Sequence, residues 1–117
     1  MKKITMPSER PSVTRRFVLG DLKAYATVGL LESGQPGEIF IVLKKTGTLT
    51  RGLCHVLAIM ISLCLQHGVP LEKVVDKLKG VRFEPSGFTH DSDFPTACSI
   101  VDYIGQWLEK RFLSHAK

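Results

Sequence analysis

The stretch AYATVGLLESGQPGEIFIVLKKTGTLTRGLCHVLAIMISLCLQHG, Ala24 to Gly68, decides the fold, because its apolar period changes once, within a few residues. In its first part Ala24, Ala26, Val28 and Leu30 alternate with Tyr25, Thr27 and Leu31, the period of a half-buried strand. Glu32 to Gly37 is rich in turn formers. Glu38 to Lys45 then resumes the alternation, with Ile39, Ile41 and Leu43 on one face and Phe40 and Val42 on the other. Apolar residues on both faces predict a central strand. From Thr48 the spacing becomes three and four: Leu49, Leu53, Val56, Leu57, Met60, Ile61 and Leu65. That is a helix, with Thr48 or Thr50 as its N-cap and Gly68 just past its end. Apolar nearly all round, it is expected to be the buried central helix.

Outward from this stretch the remaining elements follow. Arg16 to Leu19 reads as a first strand, joined to the next through Gly20-Asp21. Pro70 opens a second helix whose stripe is Leu71, Val74, Val75 and Leu78, closed by Gly80. Val81 to Phe83 reads as a short extended piece. Pro95 begins the last helix, with Ile100, Val101, Ile104, Trp107, Leu108 and Phe112 on its buried side. The class is α+β: an antiparallel sheet of three or four strands (about 16–19, 24–31, 38–45 and 81–83) followed by three helices (about 49–67, 70–79 and 95–113) packed on it.

A chain of 117 residues is one ordinary domain. Residues 1–16 hold five basic side chains against Glu9, a net +4 of the chain's +5. Residues 1–15 therefore read as a basic, flexible leader or linker and 16–117 as a single α+β domain. A nearly neutral domain without a recognition motif gives no expectation of specific nucleic-acid binding. The longest apolar run, Val56 to Leu65, is broken by Ser62 and is about half of what a bilayer span needs. No secretion-signal pattern precedes it, so the expectation is a cytoplasmic protein without a membrane partner. Cys54, Cys64 and Cys98 are an odd set without C-x-x-C spacing, which suits reduced thiols.

Phosphate-loop, dinucleotide, zinc-protease and nucleophile-elbow motifs are missing. Cys64 and His67 share a helix end but lack two further donors, so no metal is expected. Cys98 falls in the first turn of the helix from Pro95 and reads as a small, half-buried residue packing a helix start; the alternative is a reactive thiolate favoured by free N–H groups and the helix dipole. Arg82 and Glu84, two apart, share a face of an extended segment. They could grip a ligand or partner chain, or form an exposed salt bridge. Ser86-Gly87 after Pro85 is a turn whose N–H groups make it an anion-site candidate.

The words KAYATVGLLESGQPGEIFIVLKKTGTLTRGL, ISLCLQHGVPLEKVVDKLKGVRFEPSGF and SIVDYIGQWLEKRF keep order and spacing together. In them the chain resembles the C-terminal accessory domain of adenosylcobalamin-dependent (class II) ribonucleotide reductases, from about Met6 to Phe112. That domain is similar to the one named after a Thr-Ser-Cys-Pro-Asp motif. Here Thr96-Ala97-Cys98-Ser99-Ile100 corresponds, with only Thr96 and Cys98 matching. The resemblance implies a free-standing accessory domain that works in trans on a reductase catalytic chain. Cobalamin and the catalytic cysteines belong to a large barrel with no counterpart here. The resemblance thus implies no cofactor in this chain and no catalysis of its own. An independent small-ligand or nucleotide-binding module is the other reading, with Arg82, Glu84, Ser86 and Gly87 near its pocket. An open sheet edge or an apolar helix face would also allow a two-fold homodimer.

Overall fold

The computed structural model describes residues 3–44 and 46–113. Met1 and Lys2 of the expected leader, the Lys45 end of the expected third strand and residues 114–117 of the expected domain lie outside the described residues. Strands β1 (Ser12–Leu19), β2 (Leu22–Leu30) and β3 (Pro36–Lys44) form an antiparallel sheet in the order β1-β2-β3. Gly20-Asp21 joins the first two, with Leu19 opposite Leu22. The φ of 60° at Gly20 is the left-handed value that a two-residue hairpin turn requires. Ala24, Ala26 and Val28 face the core without solvent exposure, flanked by Phe17 and Leu19 on one side and Ile39, Ile41 and Leu43 on the other.

Two expectations about the sheet change. The third strand is an edge, not the centre, because each hairpin places its strands side by side and leaves β2 in the middle. Its second apolar face, Phe40 and Val42, is accordingly about half exposed. Val81 to Phe83 does not become a fourth strand. It runs instead beside the approach to the last helix, Phe83 N–H donating to the Cys98 carbonyl (3.1 Å) and the Ser99 hydroxyl to the Val81 carbonyl (2.6 Å). The first strand also begins earlier than Arg16, taking in Ser12 to Arg15 from the stretch expected as leader. Further back, Arg10 pairs with the buried Glu38 at 2.6 Å. Gly29 makes room for that carboxylate, since a Cβ there would lie 2.2 Å from its oxygen.

Helix α1 (Thr48–Gln66) lies along β3. Cys54, Ala58, Ile61 and Leu65 are buried against the sheet. The Ser62 hydroxyl accepts from the Ile39 N–H (2.9 Å) and donates to its carbonyl (3.3 Å), while the Gln66 amide donates to the Gly37 carbonyl (3.0 Å). These bonds close part of the β3 edge. The N-cap is Gly47, without a side-chain cap, rather than a threonine. The helix is not buried all round, because only the sheet side has something to pack on. By length and composition it is also long and apolar enough to cross a membrane, where the sequence reading found no such stretch.

Helices α2 (Leu71–Leu78) and α3 (Ile100–Phe112) pack on each other. The stripe Leu71, Val74, Val75 and Leu78 is buried, as are Ile100, Ile104, Trp107, Leu108 and Phe112. The last helix begins at Ile100, not Pro95. Ser99 is a strong cap whose hydroxyl accepts from the Asp102 N–H (3.1 Å), and this fixes the start one turn later. The preceding Thr96–Ala97 is extended (β5) and pairs with Gly87–Phe88 (β4) as a second small sheet.

Candidate functional site

The polar groups of the chain converge where α3 begins. Asp102, in the first turn of the helix, is only 6% exposed. Its carboxylate accepts the N–H of Cys98 (2.8 Å), the N–H of Gly80 (2.8 Å) and the side-chain amide of Gln106 (2.9 Å). Burial pushes this carboxyl upward, but the donors outweigh it and hold it below the usual range. One anion thus ties the end of α2, the strand before α3 and α3 itself. Tight packing supports the joint, since a Cβ on Gly105 would meet Leu78 and Lys79 at 3.0 Å.

In front of this joint lie the residues singled out from sequence. The structure brings Arg82 to Cys98, with Nη2 3.6 Å from Sγ. It does not bring Arg82 to Glu84: among the described residues these two form no ion pair. Glu84 instead accepts from the Ser86 hydroxyl (3.0 Å) across a cis Glu84–Pro85 bond. A carboxylate already at that hydroxyl opposes a second anion, which weakens the turn as an anion site. Gly87, with φ of 120°, turns the chain into β4. Cys98 is half-buried and precedes the cap residue Ser99, so it is not in the first turn as expected. Its own N–H is spent on Asp102, and the free N–H groups of α3 lie beyond it. Between this segment and α1 runs an apolar groove of about 350 Å³, lined by Leu53, Leu57, Phe83, Glu84, Pro85 and Val101 among others.

A second cluster was not visible in the sequence. Arg15 on β1 donates from Nε to the Tyr103 hydroxyl (3.1 Å) and pairs through Nη2 with Asp91, with Asp93 at 3.5 Å. The Tyr103 hydroxyl donates to Asp91 at 2.7 Å. Tyr103 has no solvent exposure; its ring stacks on Phe17 at 4.0 Å and meets Phe94 edge-on at 5.4 Å. Burial raises the Asp91 carboxyl, yet the Tyr103 and Arg15 hydrogen bonds overcome it and bring it to about 2. Burial and the Asp91 bond push the Tyr103 hydroxyl up to about 12, against the opposing Arg15 charge. The cluster locks β1, the 89–94 loop and α3 together with an always-charged guanidinium. The available signal was an arginine two residues from Phe17 on one strand face, a charge pointed at the core. Its partners lie 76 and 88 residues away.

No nucleophile-and-base pair results from either cluster. Among the described residues no three His, Cys, Asp or Glu side chains come together as a metal-holding group. The chemistry on offer is contact: an exposed guanidinium, a thiol and an apolar groove beside a rigid joint.

Comparison with known proteins gives the lineage. Residues 2–112 match the TSCPD domain. A vitamin B12-dependent ribonucleotide reductase of Rhodopirellula baltica is 40% identical over 109 residues, covering 93% of this chain and 10% of that protein. The reductase of the same name from Streptantibioticus cattleyicolor is 40% identical over 108 residues, 92% of this chain and 18% of that protein. One from Bradyrhizobium diazoefficiens is 39% identical over 110 residues, covering 93% and 9% respectively. The chain thus spans between about a tenth and a fifth of these relatives. No solved structure matches it.

Proposed function

We propose, from the premise that this chain belongs to the TSCPD domain family, that it is a non-catalytic accessory domain supplied in trans to a vitamin B12-dependent ribonucleotide reductase chain in deoxyribonucleotide synthesis. One observation carries this reading: the alignment takes in nearly all of this chain and only 10% of the reductase, so what is shared is a single module. The physics agrees with a module. The sheet, α2 and α3 bury a common core, and the carboxylates Asp91 and Asp102 are engaged in holding segments together. The surface in front of α3, with the exposed Arg82 and Glu84 and the half-buried Ser86, Gly87 and Cys98, is the contact proposed for the catalytic chain.

In this reading adenosylcobalamin is bound by the catalytic chain. The apolar grooves along α1 hold about 380 and 350 Å³, sized for a small molecule rather than a corrinoid with its nucleotide tail, and no step is routed through it. The test is capture of a B12-dependent reductase catalytic chain by this protein, with ribonucleotide reduction measured in its presence and absence. Binding weakened by Arg82→Glu supports the reading; no binding and no change in activity overturn it.

The groove beside Phe83 and Pro85 favours a second reading, a small-ligand module. Thermal shift against nucleotides separates the two, since a ligand at 100 times its Kd adds about 2.7 kcal/mol.

A further inference from the structure

Helix α1 carries two apolar stripes on opposite sides. One, Cys54, Ala58, Ile61 and Leu65, is buried on the sheet. The other is Leu49, Leu53, Val56, Met60 and Leu63, exposed by 75%, 63%, 52%, 51% and 45%. Their spacing of four, three, four and three is the 3.5-residue repeat by which one helix meets another. The flanking positions, Gly52, Leu57, Ile59 and Cys64, are uncharged; Arg51, the helix's one charged side chain, points away from the stripe.

We propose that this stripe docks on the same stripe of a second copy, the two α1 helices running antiparallel about a two-fold axis near Val56. Three observations choose that occupant. The stripe is nearly palindromic: Leu49 and Leu63 lie seven residues either side of Val56, with Leu53 and Met60 between, so an isologous pair sets each residue against an apolar one. Its exposed area, with Ile59 alongside, is on the order of 600 Å². Two copies can therefore bury up to about 1,200 Å², which reaches the lower bound of a specific interface. Finally, a helix lying on a lipid surface wants basic residues bordering its apolar face, and α1 has none there. The pairing does not rest on the reductase reading, and it borders the surface proposed for that contact only at the groove where Leu53 meets Phe83, Glu84 and Pro85.

Sedimentation equilibrium of the full chain tests it. The expected result is a dimer that dissociates on dilution, weakened about 100-fold or more by Leu53→Glu with Met60→Glu, which places unpaired carboxylates in the seam. Unchanged circular dichroism and thermal unfolding of that variant show that the monomer still folds. As a second arm, Val56→Cys near the axis forms a disulfide-linked dimer on oxidation, above the level of the wild-type chain, whereas Glu72→Cys on α2 does not. A wild-type chain that stays monomeric, or a dimer that survives the double substitution, overturns the proposal. So does co-sedimentation with phosphatidylglycerol vesicles in place of self-association. Reductase capture that persists in the double variant separates this surface from the one proposed for the catalytic chain.

Discussion

Helix α3, 13 residues long, buries Ile100, Tyr103, Ile104, Trp107, Leu108 and Phe112, whereas α1, with 19 residues and a more apolar sequence, buries only Cys54, Ala58, Ile61 and Leu65. The difference lies in what surrounds each. Helix α3 has α2 on one side, the ring of Phe17 on the other, and carboxylates that fasten it at Asp102 and Asp91. Helix α1 has β3 and little else. Burial of an apolar side chain is therefore decided by the number of packed neighbours, and a helix can be the most apolar in a domain without being its centre.

Substitutions at either helix test the difference in packing. Tyr103→Ala should have the largest effect, about 4 kcal/mol of lost stability in urea unfolding, since a fully buried ring and its hydroxyl both go. A loss below about 1 kcal/mol would mean that α3 is not the fastened helix. Asp102→Ala should cost about 3 kcal/mol by leaving the N–H groups of Cys98 and Gly80 unpaired, and should raise hydrogen exchange at both. Acid gives a smaller and more diagnostic effect. Asp91 titrates at about 2 in the fold against an ordinary 3.8, so its contribution is complete above about pH 4 and is lost as pH falls toward 2. Asp91→Asn should flatten that part of the stability profile, and an unchanged profile would remove the Arg15 lock from the account. Leu53→Glu on the exposed stripe should be the mildest, within about 0.5 kcal/mol for the monomer, while it weakens the proposed self-association. A large loss of monomer stability there would put α1 in the core after all.

Much of the fold was legible locally. The alternation in Ala24 to Lys45 and the switch at Thr48 placed two strands and the first helix within a few residues, and the α2 stripe was read without error. The start of α3 was misread because two signals competed, Pro95 and Ser99, and only the hydroxyl that accepts from Asp102 shows which one wins. The site was legible by halves. Arg82 and Cys98 were both named, yet on separate grounds, and their meeting depends on Phe83 running beside the approach to α3. Arg15, Asp91 and Tyr103 were not named as a site, since each is ordinary in its own segment.

Periodicity and turn residues act over a few positions, which is why the α+β class and the order of the three long strands and three helices can be read from the chain alone, and motifs kept along the chain carry the lineage. Packing is what makes β3 an edge, leaves a second apolar stripe of α1 in solvent and closes Arg15 on Asp91 and Tyr103. Those outcomes depend on which faces the packed neighbours cover, a long-range property that no local period encodes.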